Sequence, residues 1–599
     1  MLRLLFILVV ALSQQTFAIL LPSHIASSMV IQRGATYPLW GLDTVGSTVT
    51  VTYGGINYKS VADATGRFSV SLPAGPASTI PSTIVIISTS GGAITLSDIL
   101  VGDVYLESGQ SNAELSVIST VNYTAAVAAA ASYGPLLRLF QVAMLPEYCN
   151  VTTPSTNLTA SIPWSRASNT SSIAMSALLY YFGVQAVTAR PDIPIGIIAT
   201  SWGGVTIQVW MSPQSLAKCG GALSAMPPSR EALIAAGTVA GASKKAQALA
   251  VAAMSNGKNY NNPFPELPST LYFSMLYPLL SMPIASLFWY QVGQGMVAKF
   301  FSFSPPFLHT TFFPLPFPPP SPQGESNAGD PIGYQCMLES MISDWRTSWA
   351  AVPGNDPVLP FAFVQLAAWP TGDAGILTVM RVAMEKALEM PRVGMLVAAD
   401  ISDGAGAMHP IHPPFKAELG RRGWLWADNV VLGNTSSPAS GPRVVSVTFD
   451  EWDASWGDYH LGYGAGSYAC AGGGAGWICA GVRVTFDQPI SIRSFYSPSA
   501  TATNIDVNTN PYGFLTGAAS GFQLFKDATV NITETSWWQE CMLTGLRDEF
   551  TVQLNVTWIS PIAGPPKLLR YAWNDYPHAM PIVNSFGLPA GPFNFSVTI

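Results

Sequence analysis

Apolar and polar residues follow three different patterns along the chain. Residues 19–100 consist of short β-rich runs such as VTVTYGG and TIVIIST, separated by glycine, proline and serine, which is typical of a small β-sandwich. From Val101 onward, short continuous apolar runs alternate with helical stretches, and this pattern predicts a parallel sheet covered by helices on both faces. Valine- and threonine-rich runs return after Gly433. We therefore predict an α/β domain over 101–433 between an N-terminal β-domain over 19–100 and a C-terminal β-domain over 434–599.

Five continuous apolar runs are the predicted parallel strands of the α/β domain. In chain order they are VGDVYL, PIGIIATS, ASLFWYQ, PFAFVQLA and GMLVAAD. In open α/β sheets, ligands bind outside the carboxyl ends of the strands. We therefore expect the reactive residues directly after these runs.

The first 18 residues are typical of a cleaved secretory signal. Arg3 precedes an apolar run from Leu4 to Leu12, which is too short to span a bilayer. Ala18 is the small residue at the expected cleavage site. Six cysteines without metal-ligand spacing are expected to form disulfides. Eight Asn-x-Ser/Thr sequons also fit a secretory route; they are at Asn122, Asn150, Asn157, Asn169, Asn434, Asn531, Asn555 and Asn594. The expected product is a secreted or lysosomal glycoprotein.

Charge and hydropathy exclude some functions. Charged residues make up only 10% of the chain, the formal net charge is −7, and the mean hydropathy is +0.30. No segment after the signal reaches the roughly 18 uninterrupted apolar residues of a membrane-spanning helix, and prolines interrupt the apolar block from Phe300 to Pro320. We therefore expect no membrane span. Nucleic acid is an unfavourable partner, because neutralising phosphates requires clustered lysine and arginine.

Three motifs at the ends of the predicted strands carry candidate chemistry. In ESGQSN, a serine at a strand-to-helix turn can expose its hydroxyl beside backbone N–H groups, although serine is also a common helix N-cap. In SWGG, the paired glycines allow close approach of the backbone to a ligand, or form only a tight turn. The run MHPIHP supplies His409 and His412, either of which is a structural histidine or the base that a serine nucleophile needs.

Four blocks of sequence resemble, in order, the motifs of the sialate O-acetylesterases, a secreted or lysosomal branch of the SGNH-type hydrolases. The blocks are GDVYLESGQSN, PIGIIATSWGG with IQVW, FWYQ with QGESN, and IHPPFKAELGRR. SSMVIQR near the start, with LRYAW and GLPAGPF near the end, extends the resemblance over most of the chain. The resemblance implies an SGNH/flavodoxin-like parallel sheet in the catalytic domain, flanking β-sandwich-like domains, and no metal or organic cofactor.

The resemblance also implies roles for individual residues. Ser111 would be the nucleophile and His412 the general base. The backbone N–H groups of Ser111 and Gly204 would form an oxyanion hole, in which each donor typically lowers the barrier by about 3 kcal/mol. From the QGESN block, Asn327 would join the oxyanion hole and Glu325 would lie beside it at the base of the active site.

The third member of the catalytic triad stays open. The broader superfamily has an aspartate three residues before its histidine, but His409 occupies that position here. The remaining candidates are Asp400, Asp403 and Glu325, or a backbone carbonyl.

The motif WYQGESN is interrupted in this chain by 32 residues, Val292–Gln323, whose removal would restore FWYQGESNA. The interruption begins with valine, whose codons start with GT, and ends with glutamine, which CAG encodes. Between them, phenylalanine, proline, serine and leucine dominate, all encodable by pyrimidine-rich codons. We interpret the segment as a retained intron; the alternative is a genuine apolar loop that forms a membrane, partner or aggregation surface.

The resulting expectation is a serine esterase that removes O-acetyl groups from sialic acids through an acetyl-enzyme intermediate. Its substrate would be an O-acetylated sugar or glycoprotein. One alternative is an acetylesterase for another acetylated polysaccharide. A second is an inactive carbohydrate-binding relative, which the interrupted QGESN block favours and the intact Ser111, Gly204 and His412 disfavour.

Overall fold

The computed structural model describes most of the first two thirds of the chain and parts of the last. The described residues are 19–73, 75–219, 265, 267–291, 330–368, 376–401, 412–451, 478–492, 522–525, 538–558, 568–572 and 580–596. The predicted signal and the interruption at 292–323 lie outside them.

The amino-terminal region consists of β-strands, as predicted. These are β1 (Val30–Gln32), β2 (Tyr37–Leu42), β3 (Thr48–Tyr53), β4 (Ile56–Val61), β5 (Arg67–Leu72), β6 (Ser78–Ser88) and β7 (Ala93–Gly109). Strand β3 pairs antiparallel with β4 and β6, β6 pairs antiparallel with β7, and β2 and β5 form a separate antiparallel pair. Strand β7 continues into the central sheet, so the predicted boundary at residue 100 falls inside one continuous strand.

The central sheet has the order β13-β12-β11-β7-β10-β8-β9. Its further strands are β8 (Leu137–Val142), β9 (Ala160–Arg166), β10 (Ile195–Ser201), β11 (Ser286–Tyr290), β12 (Phe361–Val364) and β13 (Val393–Leu396). All neighbours pair parallel except β8 and β9, which pair antiparallel at the edge. The fold is therefore α/β, as predicted, but its sheet is mixed. Strand β7 lies at its centre, between β10 and β11.

The five predicted strands are all present, as β7, β10, β11, β12 and β13, but the apolar runs did not reveal β8. Arg138 and Gln141 interrupt the apolar pattern of β8, although Arg138 is fully buried. The Arg138 guanidinium donates to the Gly134 carbonyl and to Asp98, so the cation is paired inside the fold. A hydropathy pattern cannot reveal such a strand, because the carboxylate that compensates the buried cation, Asp98, lies 40 positions away in sequence.

Helices cover both faces of the central sheet. Within the described residues they are α1 (Ser111–Glu114), α2 (Tyr123–Tyr133), α3 (Asn169–Ile173), α4 (Ala177–Ala189), α5 (Pro213–Lys218), α6 (Pro331–Ala350), α7 (Ile376–Glu385) and α8 (Lys416–Val430). None of these helices has both the length and the hydropathy that crossing a membrane requires.

Neighbouring residues of β11 show how the two helical layers pack. Phe288 contacts Phe182 of α4 and Trp426 of α8, with ring centroids 5.0 and 5.7 Å apart. Trp289 points to the opposite face and packs edge-on against Trp345 of α6 at 5.7 Å. Each such aromatic pair adds about 0.5–1.5 kcal/mol beyond the burial of its area. The layers therefore hold β11 and its carboxyl end rigidly beside β7.

The carboxyl-terminal region is also built of β-strands. These are β14 (Val444–Glu451), β15 (Ile478–Phe486), β16 (Ile490–Ile492), β17 (Phe522–Phe525), β18 (Trp538–Glu540), β19 (Met542–Asp548), β20 (Thr551–Trp558), β21 (Leu568–Tyr571), β22 (Ile582–Asn584) and β23 (Phe593–Ser596). They form the sheets β14-β15-β20-β19 and β18-β17-β21-β23 and the pair β16-β22, all antiparallel. Val447 and Tyr571, from different sheets, share a hydrophobic cluster with Val397 and Ala399, which follow β13.

Within the described residues, Cys219 and Cys336 form a disulfide across 117 positions of sequence. Cys219 follows α5 and Cys336 lies in the second turn of α6. The bond therefore fixes the start of α6, the helix that follows the interrupted QGESN block.

Candidate active site

The carboxyl end of β7 is held from both sides by its neighbours. The Trp202 N–H after β10 donates to the Gly109 carbonyl at 3.1 Å, and the Gln110 N–H donates to the Tyr290 carbonyl of β11 at 2.9 Å. Gly109 has a φ of +151°, and a Cβ at this position would lie 2.1 Å from the Tyr290 carbonyl oxygen. Only glycine allows this close approach. The chain then turns directly into α1, whose first residue is Ser111.

The structure brings together the predicted nucleophile and the predicted base. The Ser111 Oγ lies 2.8 Å from the His412 Nε2, although the two residues are 301 positions apart in sequence. Both side chains are half-buried, so the pair is accessible from solvent. The Val121 N–H donates to the Pro414 carbonyl at 3.1 Å and links the segment after Ser111 to the segment that carries His412. This distance allows His412 to accept the Ser111 proton.

The glycine turn after β10 lies against the same helix turn. The Gly203 N–H donates to the Glu114 Oε2 at 2.7 Å, and a Cβ on Gly203 would lie 3.3 Å from the Ser111 Cβ. Gly204 has a φ of +77° and is exposed. Glu114 therefore engages the N–H of the residue directly before Gly204, the predicted oxyanion donor.

Glu114 is a residue whose importance the sequence did not indicate, and its replacement gives a first prediction. The variant Glu114→Ala should lower kcat for a small acetyl ester by about 10- to 150-fold, because a lost charge-assisted hydrogen bond to the glycine turn is worth roughly 1.5–3 kcal/mol. Steady-state kinetics with 4-nitrophenyl acetate measure the effect. The variant Glu114→Gln, which keeps an acceptor oxygen, should retain more activity. Equal kcat for the alanine variant and the wild type would contradict this role.

A buried polar cluster lies behind Ser111. Glu107, in β7, accepts a hydrogen bond from the Ser176 hydroxyl, and burial raises the pKa of Glu107 to about 8 against the opposing effects of Ser176 and the Lys416 charge. The Lys416 ammonium, at the start of α8, donates to the Asn112 Oδ1 and, at 3.3 Å, to the Tyr290 hydroxyl. Glu107 and Lys416 both lie within the sequence blocks that resemble the sialate O-acetylesterases, but the resemblance indicates no role for either residue.

Asp400, one of the three candidate acids, is engaged by an arginine. Its two carboxylate oxygens each accept a 2.7 Å hydrogen bond from Arg422 of α8, and both side chains are almost fully buried. Arg422 also donates to Glu418 at 2.9 Å. Although burial opposes the charge, Asp400 and Glu418 hold the pKa of Arg422 above its usual value. This arrangement fits a role in anchoring α8.

The remaining predicted site residues, Glu325, Asn327 and Asp403, lie outside the described residues, as does His409. The flanking residues are described. Gln291, at the end of β11, is buried and donates to the Val205 carbonyl at 3.5 Å. Asp330 caps α6 by accepting from the Gly333 N–H at 2.8 Å. The predicted interruption therefore follows directly after a buried residue that contacts the segment of the glycine turn.

Curated proteins related in sequence carry the name that the motifs predicted. The chain is 26% identical over 460 residues to sialate O-acetylesterase of Mus musculus, covering 70% of this chain and 75% of that protein. It is 25% identical over 455 residues to sialate O-acetylesterase of Homo sapiens, covering 70% and 72%. No protein-family model matches the chain. The predicted resemblance is confirmed, and the chain is similar over most of its length to carboxylic ester hydrolases.

A solved structure shows the same fold. It is that of a carbohydrate acetylesterase from Xanthomonas citri, with a TM-score of 0.65 and 24% identity, covering 96% of this chain and 99% of the other. The likeness extends beyond the central sheet to nearly the whole chain.

Proposed function

We propose that this protein is a serine esterase that removes O-acetyl groups from sialic acids. The observation that carries the proposal is the 2.8 Å contact between the Ser111 Oγ and the His412 Nε2 at the carboxyl end of the central strand. The sequence relationship to sialate O-acetylesterases supports the substrate class.

The reaction follows from this geometry in two steps. His412 accepts the proton as the Ser111 Oγ attacks the acetyl carbonyl, and the N–H groups of Ser111 and Gly204 stabilise the oxyanion. The ester C–O bond then breaks, the sugar oxygen leaves with the proton from His412, and an acetyl group stays on Ser111. His412 next deprotonates a water molecule, which attacks the acetyl carbonyl; the bond to the Ser111 Oγ breaks, acetate leaves, and His412 returns the proton to the Ser111 Oγ. We propose that Asn327 adds a donor to the oxyanion hole.

The second prediction concerns the third member of the triad, which we propose to be Asp403 or Glu325. Asp403→Asn or Glu325→Gln should lower kcat by about 10⁴-fold, because loss of the acid that orients the histidine costs about this much in serine hydrolases. Asp400→Asn should instead reduce the free energy of unfolding by roughly 3 kcal/mol, because it removes the more deeply buried of the two carboxylates that pair with Arg422 and leaves only Glu418.

Parallel kinetics and chemical denaturation of the three variants separate these roles. If Asp400→Asn folds with unchanged stability and loses 10⁴-fold in kcat, Asp400 is the catalytic acid and the assignment to Asp403 or Glu325 is wrong. Full activity in both of the other variants would leave a backbone carbonyl as the partner of His412.

We also propose a secretory route, with residues 1–18 as the signal and with flanking β-sandwich domains over 19–100 and 434–599 around the catalytic domain. The disulfide Cys219–Cys336 supports this route, because such bonds persist in oxidising compartments. The sequon asparagines whose side chains are described are all exposed, as glycosylation requires; they are Asn122, Asn150, Asn157, Asn169 and Asn434.

We retain the interpretation of Val292–Gln323 as a retained intron. Glu325 and Asn327 follow it directly, so its removal should restore their spacing from Tyr290 and raise turnover. Sequencing the transcript tests the interpretation: a dominant message that retains this segment would show that the loop is genuine.

The substrate is tested by measuring acetate release from a panel of O-acetylated sugars. The proposal predicts the highest kcat/KM for 9-O-acetylated sialic acid. Preference for acetylated xylan or another neutral polysaccharide would instead identify the alternative esterase. Binding of these sugars without release of acetate would identify an inactive carbohydrate-binding protein.

A further inference from the structure

Lys416 is a fully buried lysine behind the candidate nucleophile. It is the first residue of α8, and its side chain is inaccessible to solvent. Lysine is almost never fully buried unless it is paired, because desolvating an ammonium is costly. The step proposed above does not use this group, so its location requires a separate explanation.

Three groups surround the Lys416 ammonium. The ammonium can only donate hydrogen bonds, so the Asn112 side chain presents its Oδ1 as the acceptor. The Tyr290 hydroxyl accepts at 3.3 Å, and the ammonium lies 4.5 Å from the centre of the Tyr290 ring. Glu107, also fully buried, interacts with the same charge.

These contacts join the segments that form the reactive pair. Asn112 follows Ser111 directly, and Lys416 lies four residues after His412. Tyr290 ends β11, and its carbonyl accepts the Gln110 N–H. The ammonium therefore connects the turn that carries Ser111, the end of β11 and the segment that carries His412.

We propose that Lys416 is a positioning residue, whose contacts with Asn112 and Tyr290 hold Ser111 and His412 at hydrogen-bonding distance. The inference rests on the proposed serine esterase function. Stability alone is a weak explanation for the buried charge, because apolar residues of similar volume often replace buried ion pairs without loss. Burial lowers the pKa of Lys416 well below its usual value, and the charge of Glu107 opposes this effect. The Lys416 amino group has the N–H donors for both hydrogen bonds in either protonation state, and the low polarity around it strengthens them.

The test compares Lys416→Met, Lys416→Arg and Asn112→Ala in the full chain. Lys416→Met should lower kcat for 4-nitrophenyl acetate by about 100-fold while KM changes less than about twofold, because a displacement near 1 Å at a reacting pair costs about this much. Asn112→Ala, which removes the acceptor and keeps the charge, should lower kcat by about tenfold. Lys416→Arg retains a donor cation and should recover part of the loss.

Arg138→Met is the matched control. Arg138 is also a fully buried cation, but it lies in β8 and pairs with Asp98 rather than with groups behind Ser111. We expect Arg138→Met to be less stable than the wild type. Its kcat, calculated per active site that a fluorophosphonate labels, should equal that of the wild type. If Lys416→Met behaves in the same way, Lys416 is only a structural residue and the proposal is wrong.

The double variant Lys416→Met/Asn112→Ala gives the sharpest readout. If Lys416 acts through Asn112, the double variant should be no slower than the slower single variant, whereas additive losses would contradict the proposal. If Lys416→Met does not fold, Asn112→Ala still tests the proposal: an unchanged kcat in this variant would contradict the positioning role of Lys416. The rate of fluorophosphonate labelling at Ser111 is measured in parallel, because it reports the Ser111–His412 pair even if the wild type hydrolyses no acetylated sugar.

Discussion

Replacing Ser111 with alanine is expected to lower the hydrolysis of a small acetyl ester by at least about 10⁴-fold, because it removes the hydroxyl that is proposed to carry the acetyl group. Ser111 is half-buried at the start of α1, and the backbone contacts that hold this turn do not involve its hydroxyl. The fold should therefore survive the substitution. Steady-state kinetics with 4-nitrophenyl acetate measure the rate of hydrolysis, and thermal unfolding of the same preparation measures whether the fold survives.

Ser132→Ala is the control for this experiment. Ser132 is an exposed helical serine in α2, whose hydroxyl donates to the Ala129 carbonyl at 2.7 Å. It should keep wild-type turnover. Undiminished turnover in folded Ser111→Ala would remove Ser111 from the mechanism.

Replacing His412 with glutamine is expected to lower kcat by about 10⁶-fold, because Ser111 then lacks its proposed base. In the wild type, an imidazole must be neutral to accept the serine proton. Turnover should therefore rise with pH across the range in which histidine ordinarily loses its proton, around pH 6.5. The rise should be absent from the residual activity of the variant. A pH profile of kcat/KM for both proteins measures this difference.

His24→Gln is the matched control for the pH profile. Burial lowers the pKa of His24 to about 4, so this side chain is already neutral across the range of the experiment. The control should retain the rise in turnover with pH. A wild-type profile that is flat between pH 5 and 8 would contradict the assignment of His412 as the base.

The sequence predicted the parts of the site that depend on local motifs. The position of GQSN at the end of an apolar run made Ser111 a candidate, and the place after the fifth run made both His409 and His412 candidates; the family resemblance selected His412. Their closeness could be predicted because strand ends in an α/β sheet meet at one edge, so residues that follow different strands lie together. The 2.8 Å contact between Ser111 and His412 confirms their proximity.

The sequence could not predict the contacts that hold this pair in place. Glu114 accepts a hydrogen bond from the Gly203 N–H, and Lys416 contacts Asn112 and Tyr290. The partners in these contacts lie 89 to 304 positions apart in sequence. A lone glutamate or lysine carries no local signal that identifies its distant partner. Asp400 illustrates the same limit, because the sequence offered it as one of three candidate acids and gave no sign of its pairing with Arg422.

The most direct test of the proposed chemistry is fluorophosphonate labelling of the full chain, followed by mapping of the modified peptide. A serine esterase with an activated nucleophile should be labelled on Ser111, with no label in Ser111→Ala and much slower labelling in His412→Gln. A folded full chain that stays unlabelled at Ser111 would contradict the proposal that this protein is a serine esterase.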